Sequence, residues 1–240
     1  MKWLDLTLPS PAENLACDEA LLDWCENGKG DEALRFWESR DYFVVVGYAN
    51  KIANEVNAAA CEKRGIPILR RCSGGGTVLQ GPGCLNYTLI LRITDDGPLR
   101  NISATNQFIM ERNRAAIESF FIKAEILVAG FTDLVVGGRK FSGNSQRRRK
   151  NFLLFHGTFL LDFNLSLIGE LLRMPSKQPD YRQGRNHGEF LMNLKISVEG
   201  LKTALIKAWN ATGELSDFPE QELNKLAAEK YSTAKWNFRL

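Results

Sequence analysis

The chain has 240 residues, 44% of them hydrophobic and 25% charged, with a formal net charge of +3. That describes one globular domain, or one domain with a small appendage, large enough to bury its own core without disulfides or a structural metal. No run of about 18 apolar residues is available to span a membrane, and so small a charge does not point to nucleic acid, although it suits weak steering toward an acidic protein partner.

Residues 12–27 carry apolar positions at helical spacing behind Ser10-Pro11, a cap and first turn, and predict a helix. Ala33–Trp37 and Tyr42–Val46 follow as strands, the second so uniformly apolar that both its faces should be buried. Residues 54–64 read as a helix ending at Gly65, and Ile66–Leu69 as an extended lead into Arg70-Arg71. After a glycine-rich stretch, Leu85–Ile93 alternates as a strand, and 104–122 is the clearest amphipathic helix. Segment 125–161 reads as a meander of strands broken by glycines and a basic turn. Helices are expected at 165–173, 198–211 and 219–230, with 175–195 irregular. Strands and helices mix without strict alternation, so the expected fold is α+β. The expected organisation is a catalytic domain over 1–197 and a helical extension over 198–240 packed on it.

Five cysteines, at 17, 25, 61, 72 and 84, form no CxxC pair, and only His156 and His187 could join them at a metal. That is too few well-spaced ligands for structural zinc, and reduced thiols are the expectation. The N-terminus lacks the apolar core of a signal peptide and reads as a mature cytoplasmic start.

Two stretches carry chemistry. The first is Arg70-Arg71-Cys72-Ser73-Gly74-Gly75-Gly76-Thr77-Val78-Leu79-Gln80-Gly81-Pro82-Gly83. Three consecutive glycines let backbone N–H groups approach an anion closely, and two arginines can pair with phosphate or carboxylate. The stretch is neither a Walker A loop nor a dinucleotide fingerprint, and a flexible surface turn has about the same composition. The second runs from Thr132 to Gln146, where Gly137-Gly138 between apolar runs signals a tight hairpin with Lys140 just beyond it. An ammonium fixed on a strand can stabilise charge building at a phosphate or acyl carbon, whereas an arbitrary strand lysine is simply solvated.

Taken in order, N-L-A at 14–16, R-R-x-S-G-G-G at 70–76, D-L at 133–134, R-K-x-S-G at 139–143 and H-G-T at 156–158 resemble the lipoate–protein ligase A family, part of the group that also holds biotin ligases and octanoyltransferases. The resemblance implies a mixed, mainly antiparallel sheet flanked by helices. It further implies that lipoate or octanoate is activated with ATP and Mg2+ to an acyl-adenylate and joined to a lysine of a carrier domain. That carrier would be a 2-oxoacid dehydrogenase E2 subunit or a protein like the glycine cleavage H protein. Lys140 is then the catalytic lysine touching acyl carbonyl and phosphate. Arg71, Gly75, Gly76, Thr77, Val78, Leu79 and Asp133 border the adenylate, with Asp133 near the Mg2+. Arg70, Ser73, Gln80, Ser142, Gly143 and His156 surround the lipoyl group, although His156 reads equally well as a packed core histidine.

The chain departs from the ligases in having Gln80-Gly81-Pro82-Gly83 where His-Asp is common and Thr132 where Asn is usual; the Gly-Pro-Gly is like the octanoyltransferase branch. Residues 198–240 are too few for the small C-terminal domain of the best-known ligases, which leaves a place for a separate accessory adenylation subunit. The nearest rival is an ATP-independent octanoyl or lipoyl transferase, which needs a cysteine nucleophile. One transferase branch has it just before the hairpin, where Ala129-Gly130-Phe131 stand here, and the other after it, where this chain has no cysteine. Cys72 and Cys84 flank the glycine loop as relocated candidates. A biotin ligase would show a GRGRxGR-like loop, absent here, and a non-catalytic binder of lipoylated ligands has no need of Arg71 and Lys140 together. Arg147-Arg148-Arg149-Lys150 is read as a solvated turn or a steering patch for an acidic carrier, and 179–190 as a loop closing over the site.

Overall fold

The computed structural model describes residues 1–121 and 124–240. Seven strands form one sheet in the order β1 (Lys2–Asp5), β2 (Ala33–Trp37), β6 (Cys84–Arg92), β10 (Phe152–Leu160), β9 (Arg139–Arg148), β8 (Asp133–Val136) and β7 (Ile126–Ala129). Only β1 and β2 run parallel; every other neighbouring pair is antiparallel. A small second sheet has the order β4 (Ile68–Arg70), β3 (Phe43–Val46), β5 (Val78–Gln80). The fold is the expected α+β one, a mixed, mainly antiparallel sheet flanked by helices.

The large sheet is covered on both faces because its central strands are apolar on both. Tyr87, Leu89, Phe155 and Phe159 face one core together with Ile109, Met110 and Ile117 of helix α4 (Ile102–Glu118) and Leu201, Leu205 and Trp209 at α7 (Val198–Ala208). Ile90 and Leu154 face the other side, where Cys17, Leu21, Leu22 and Cys25 of α1 (Pro11–Glu26) pack on them. Helix α1 starts where Ser10-Pro11 predicted: Ser10 accepts from the Glu13 N–H and Glu13 returns the bond, a complete capping box worth about 1 kcal/mol.

The expected helix at 54–64 is instead α2 (Ile52–Glu55) and α3 (Ala58–Lys63), broken at Val56, which bridges Leu172 beyond α5 (Ser166–Leu171). The amphipathic helix ends at Glu118, and position 122 lies outside the described residues. Segment 175–195, expected to be irregular, contains a 3-10 turn at Asp180–Arg182 and α6 (His187–Phe190). Strand β5 was not foreseen at all. Beyond α7, α8 (Glu220–Leu226) lies along α1, and α9 (Ala234–Asn237) ends the chain against β4. Among the described residues, no helix is long and apolar enough to cross a membrane.

Candidate active site

A cavity of about 430 Å³ opens between the small sheet and the α1-facing side of the large one, with residues from Pro175 to Leu191 closing it from outside. One wall is the connection from β4 to β5, residues 71–77, whose glycines allow a path that a side chain would block. Gly75 has φ +82°, and a Cβ on Gly47 would overlap the Gly75 carbonyl oxygen. Arg71 holds this loop from inside. Its guanidinium donates to Ser73 Oγ (3.0 Å), to the Gly76 carbonyl (2.7 Å) and to the Gly74 carbonyl. Burial lowers its pKa to about 10, so it remains charged at neutral pH.

Opposite the loop, the β8–β9 hairpin turns on Gly137 (φ +55°) and Gly138 (φ +73°), both left-handed as a two-residue turn of this kind requires. Lys140 follows the turn and points back along the sheet, its Nζ 2.7 Å from Asp133 Oδ1. Gly143 makes room for it, since a Cβ there would lie 2.8 Å from both Cε and Nζ of Lys140. The other Asp133 oxygen accepts from the Tyr181 hydroxyl at 2.6 Å. Burial and the Asp133 charge push the Tyr181 pKa up, which keeps it a donor. Segment 179–190 is therefore fastened to the lysine's own counter-ion.

The third wall is the sheet itself. Antiparallel register places Thr88 opposite His156 and Asn86 opposite Thr158, so all four side chains share the face toward the cavity. His156 Nε2 lies 2.6 Å from Ser73 Oγ, and Nδ1 lies 3.2 Å from Asp18 Oδ2 on α1. Asp18 also receives Arg35 Nη1 at 2.6 Å, an ion pair exposed by no more than 2% on either side. Burial would raise the Asp18 pKa, but Arg35 and His156 outweigh it and hold the carboxyl below its usual range. Asp18 and Arg35 were missed in the sequence. The available signals were a carboxylate on the inward side of α1 and an arginine inside an otherwise apolar strand.

The lipoyl protein ligase A/B catalytic domain family matches residues 10–209 of this chain. The chain belongs to that family. Octanoyltransferase LipM of Halalkalibacterium halodurans is 30% identical, over 99% of this chain and 98% of that protein. Lipoate–protein ligase 1 of Staphylococcus aureus is 29% identical, over 96% of this chain and 71% of its own length. Two solved structures share the fold. A bi-partite lipoate protein ligase of Thermoplasma acidophilum has TM-score 0.80 at 23% identity, covering 99% of this chain and 95% of that one. A lipoate-protein ligase A bound with ATP has TM-score 0.77 at 24% identity, covering 99% of both. The molecule is thus an enzyme of the lipoate ligase and octanoyltransferase family.

Set in this family's frame, most residues singled out in the sequence meet at the cavity. Arg71, Gly75, Gly76, Thr77, Val78, Leu79, Gln80, Asp133, Lys140, Ser142, Gly143 and His156 all line it. Arg70 does not. Its buried guanidinium turns to the carbonyls of Gly47 (2.8 Å), Asn50 (2.8 Å) and Asn237 (3.3 Å), so it braces the base of the glycine loop from behind. Ser73 also lies behind the lining, its hydroxyl taken by Arg71 and His156. Arg71 reaches the cavity with its donors already committed to loop carbonyls, which is a scaffolding geometry rather than a phosphate clamp.

The run 147–150 is not a free basic patch. Arg147 lies over the Tyr48 ring (5.3 Å), Arg148 bonds Thr105 and the Leu99 carbonyl, and Arg149 pairs with Asp23 at 2.8 Å. The steering hypothesis therefore loses three of its four charges to internal partners. All five cysteines are buried, and none lines the cavity. Burial pushes Cys17 to about 11 and Cys72 to about 12, the opposite of an activated thiolate. Among the described residues no group of three or more His, Cys, Asp or Glu is placed to hold a metal. Asp133, the carboxylate expected near Mg2+, already has Lys140 and Tyr181 as partners. The donors for a protein-held Mg2+ are thus not assembled, and no step below uses one.

Proposed function

We propose that this chain transfers a medium-chain acyl group, of the lipoyl or octanoyl kind, from an acyl-adenylate to the ε-amine of a lysine on a lipoyl carrier domain. The observation that supports it is the pairing of Lys140 and the glycine loop across a cavity that no cysteine lines. The acyl chain occupies the space between the sheets, with its carbonyl toward Lys140. Lys140 Nζ leaves Asp133 for the oxygens of the acyl phosphate, and loop N–H groups face the same anion. In activation, a carboxylate oxygen of the acid attacks the α-phosphorus of ATP, and pyrophosphate departs. In transfer, the neutral carrier amine attacks the acyl carbon, the bond from carbon to phosphate oxygen breaks, AMP departs and the nitrogen loses a proton.

A second reading has one observation in its favour. Relatives matching nearly the whole chain are named octanoyltransferase LipM. A transferase would take its acyl group from a carrier without ATP, through a thioester on a nucleophilic thiol. Here Cys72 and Cys84 are buried and their thiols are held protonated by that burial.

One experiment separates the two. The chain is incubated with an apo carrier domain and either octanoate plus MgATP or an octanoyl thioester of a donor carrier without ATP, and the product is weighed by intact mass. Carrier acylation from octanoate that requires ATP supports the proposal. In that assay Lys140→Ala should slow the reaction by about 10²–10³-fold, the usual scale for losing a donor aimed at developing charge. Acylation from the thioester alone, abolished by Cys72→Ser or Cys84→Ser, establishes the transferase instead.

A further inference from the structure

The cavity floor is built from two polar rows across the large sheet, and only one row is self-satisfied. In the row Arg35–Thr88–His156, the charged ends meet at Asp18. The next row is Trp37–Asn86–Thr158, joined from the small sheet by Gln80. Gln80 Nε2 donates to Thr158 Oγ1 at 2.6 Å, and Thr158 donates onward to Asn86 Oδ1 at 2.7 Å. The single hydroxyl hydrogen of Thr158 goes to Asn86, so turning the Gln80 amide would leave its oxygen facing a hydroxyl with no proton to offer. Gln80 Oε1 is therefore a buried acceptor without a partner, and Trp37 Nε1 a buried donor without a partner. Trp37 is 3% exposed and Gln80 6%, and both line the cavity. Buried polar groups are normally hydrogen-bonded, and two of opposite kind on one floor call for a ligand that supplies both partners.

From this we infer that the acyl group accepted here is not a plain alkyl chain but ends in a group that both donates and accepts a hydrogen bond, a hydroxyl or a thiol. This rests on the acyl chain lying in this cavity, as proposed above. The far-end group donates to Gln80 Oε1 and accepts from Trp37 Nε1. An alkyl end offers neither bond and leaves both groups buried and unpaired. A closed disulfide ring accepts weakly but cannot donate.

The test is calorimetric titration of the whole chain with octanoate, 8-hydroxyoctanoate and 6,8-dimercaptooctanoate. The hydroxy acid or the dithiol acid should bind about tenfold or more tightly than octanoate, the usual scale for pairing a buried polar group. Gain by one of them alone supports the inference and names the head group. Gln80→Leu and Trp37→Phe should each shrink the preference to about threefold or less. Octanoate binding as tightly as both polar acids overturns the inference, as does a preference that neither substitution changes. The carrier assay keeps this apart from the proposed function. If octanoate and the polar acids are transferred equally fast, the inference fails and the function stands. If a polar acid binds tighter yet no acid reaches the carrier from either donor, the function fails and the inference stands.

Discussion

Asp18 and Arg35 are each almost wholly buried, and each is the other's charge partner at 2.6 Å. Removing one member of such a pair leaves an unpaired charge in the interior, so Asp18→Asn should lower stability by roughly 3–5 kcal/mol in urea unfolding at neutral pH. Because the folded state holds Asp18 below its ordinary range, its stabilisation is fully present above the unfolded carboxyl value of about 3.9 and is lost as pH falls through the lower folded value. The gap between the two proteins should accordingly be wide at pH 7 and close only at acid pH; a gap that stays constant down to acid pH would show that the ion pair is not its source. At the same scale, His156 gains a fixed tautomer, with Nδ1–H toward Asp18 and Nε2 receiving the Ser73 hydroxyl. The sequence offered a shared reading of His156 as pocket wall or packed core histidine, and in the structure it is both cavity-lining and doubly bonded.

At the scale of elements, the glycine loop and the lysine hairpin differ in how much local sequence shows. Gly137-Gly138 between apolar runs is a hairpin signal because two left-handed residues are a local requirement, and the turn lies where expected. The glycine loop is different, since its shape comes from distant groups: Arg71 reaching into its carbonyls, Gly47 leaving space, and Ser145 Oγ donating to Gly74 at 2.8 Å. Gly75→Ala places a Cβ at φ +82° and 3.0 Å from Arg71 Nη2. It should destabilise the fold by about 1–2 kcal/mol, measured by urea unfolding, and should slow carrier acylation more than this loss implies. A variant with wild-type stability would mean that the loop readily takes another path. Strand β5 escaped notice for a related reason. Val78–Gln80 is only three residues long and pairs with β3, more than thirty positions earlier, so no local alternation announces it. The helix expected at 54–64 breaks because Val56 and Asn57 take partners at Leu172, Leu171 and Glu170, a tertiary override of a helical pattern.

Across the whole molecule, the C-terminal turn closes what the glycine loop begins. β4 is an edge strand of the small sheet, and α9 covers it. Asn237 Oδ1 accepts from the Arg70 N–H at 2.9 Å, and Trp236 Nε1 donates to the Arg70 carbonyl at 2.8 Å. Arg239 lies 3.8 Å over the Tyr48 ring, beside the carbonyls that hold the Arg70 guanidinium. Removing residues 234–240 should reduce stability by roughly 2–4 kcal/mol, the sum of a few net hydrogen bonds. It should also raise hydrogen exchange at residues 70–77 while leaving α4 and α7 protected. Unchanged exchange at the loop would show that α9 only caps an edge.

Read alone, the sequence determined what depends on local chemistry and order along the chain: the α+β class, the start of α1, most long strands, the Gly-Gly turn and the family. It also marked nearly every residue lining the cavity, because glycines and a strand lysine are conspicuous beside an apolar background. Only the tertiary structure decided which charged groups face the cavity and which face the scaffold. Arg70 and Arg71 are adjacent and chemically alike, but their side chains go to opposite sides of the loop, and only backbone carbonyls from β3, residues 47–50 and the C-terminus settle where each is held. The same holds for Arg147, Arg148 and Arg149, a basic run in sequence and three separate internal contacts in space. Charge is a property of the residue, whereas its availability depends on partners brought in from far along the chain.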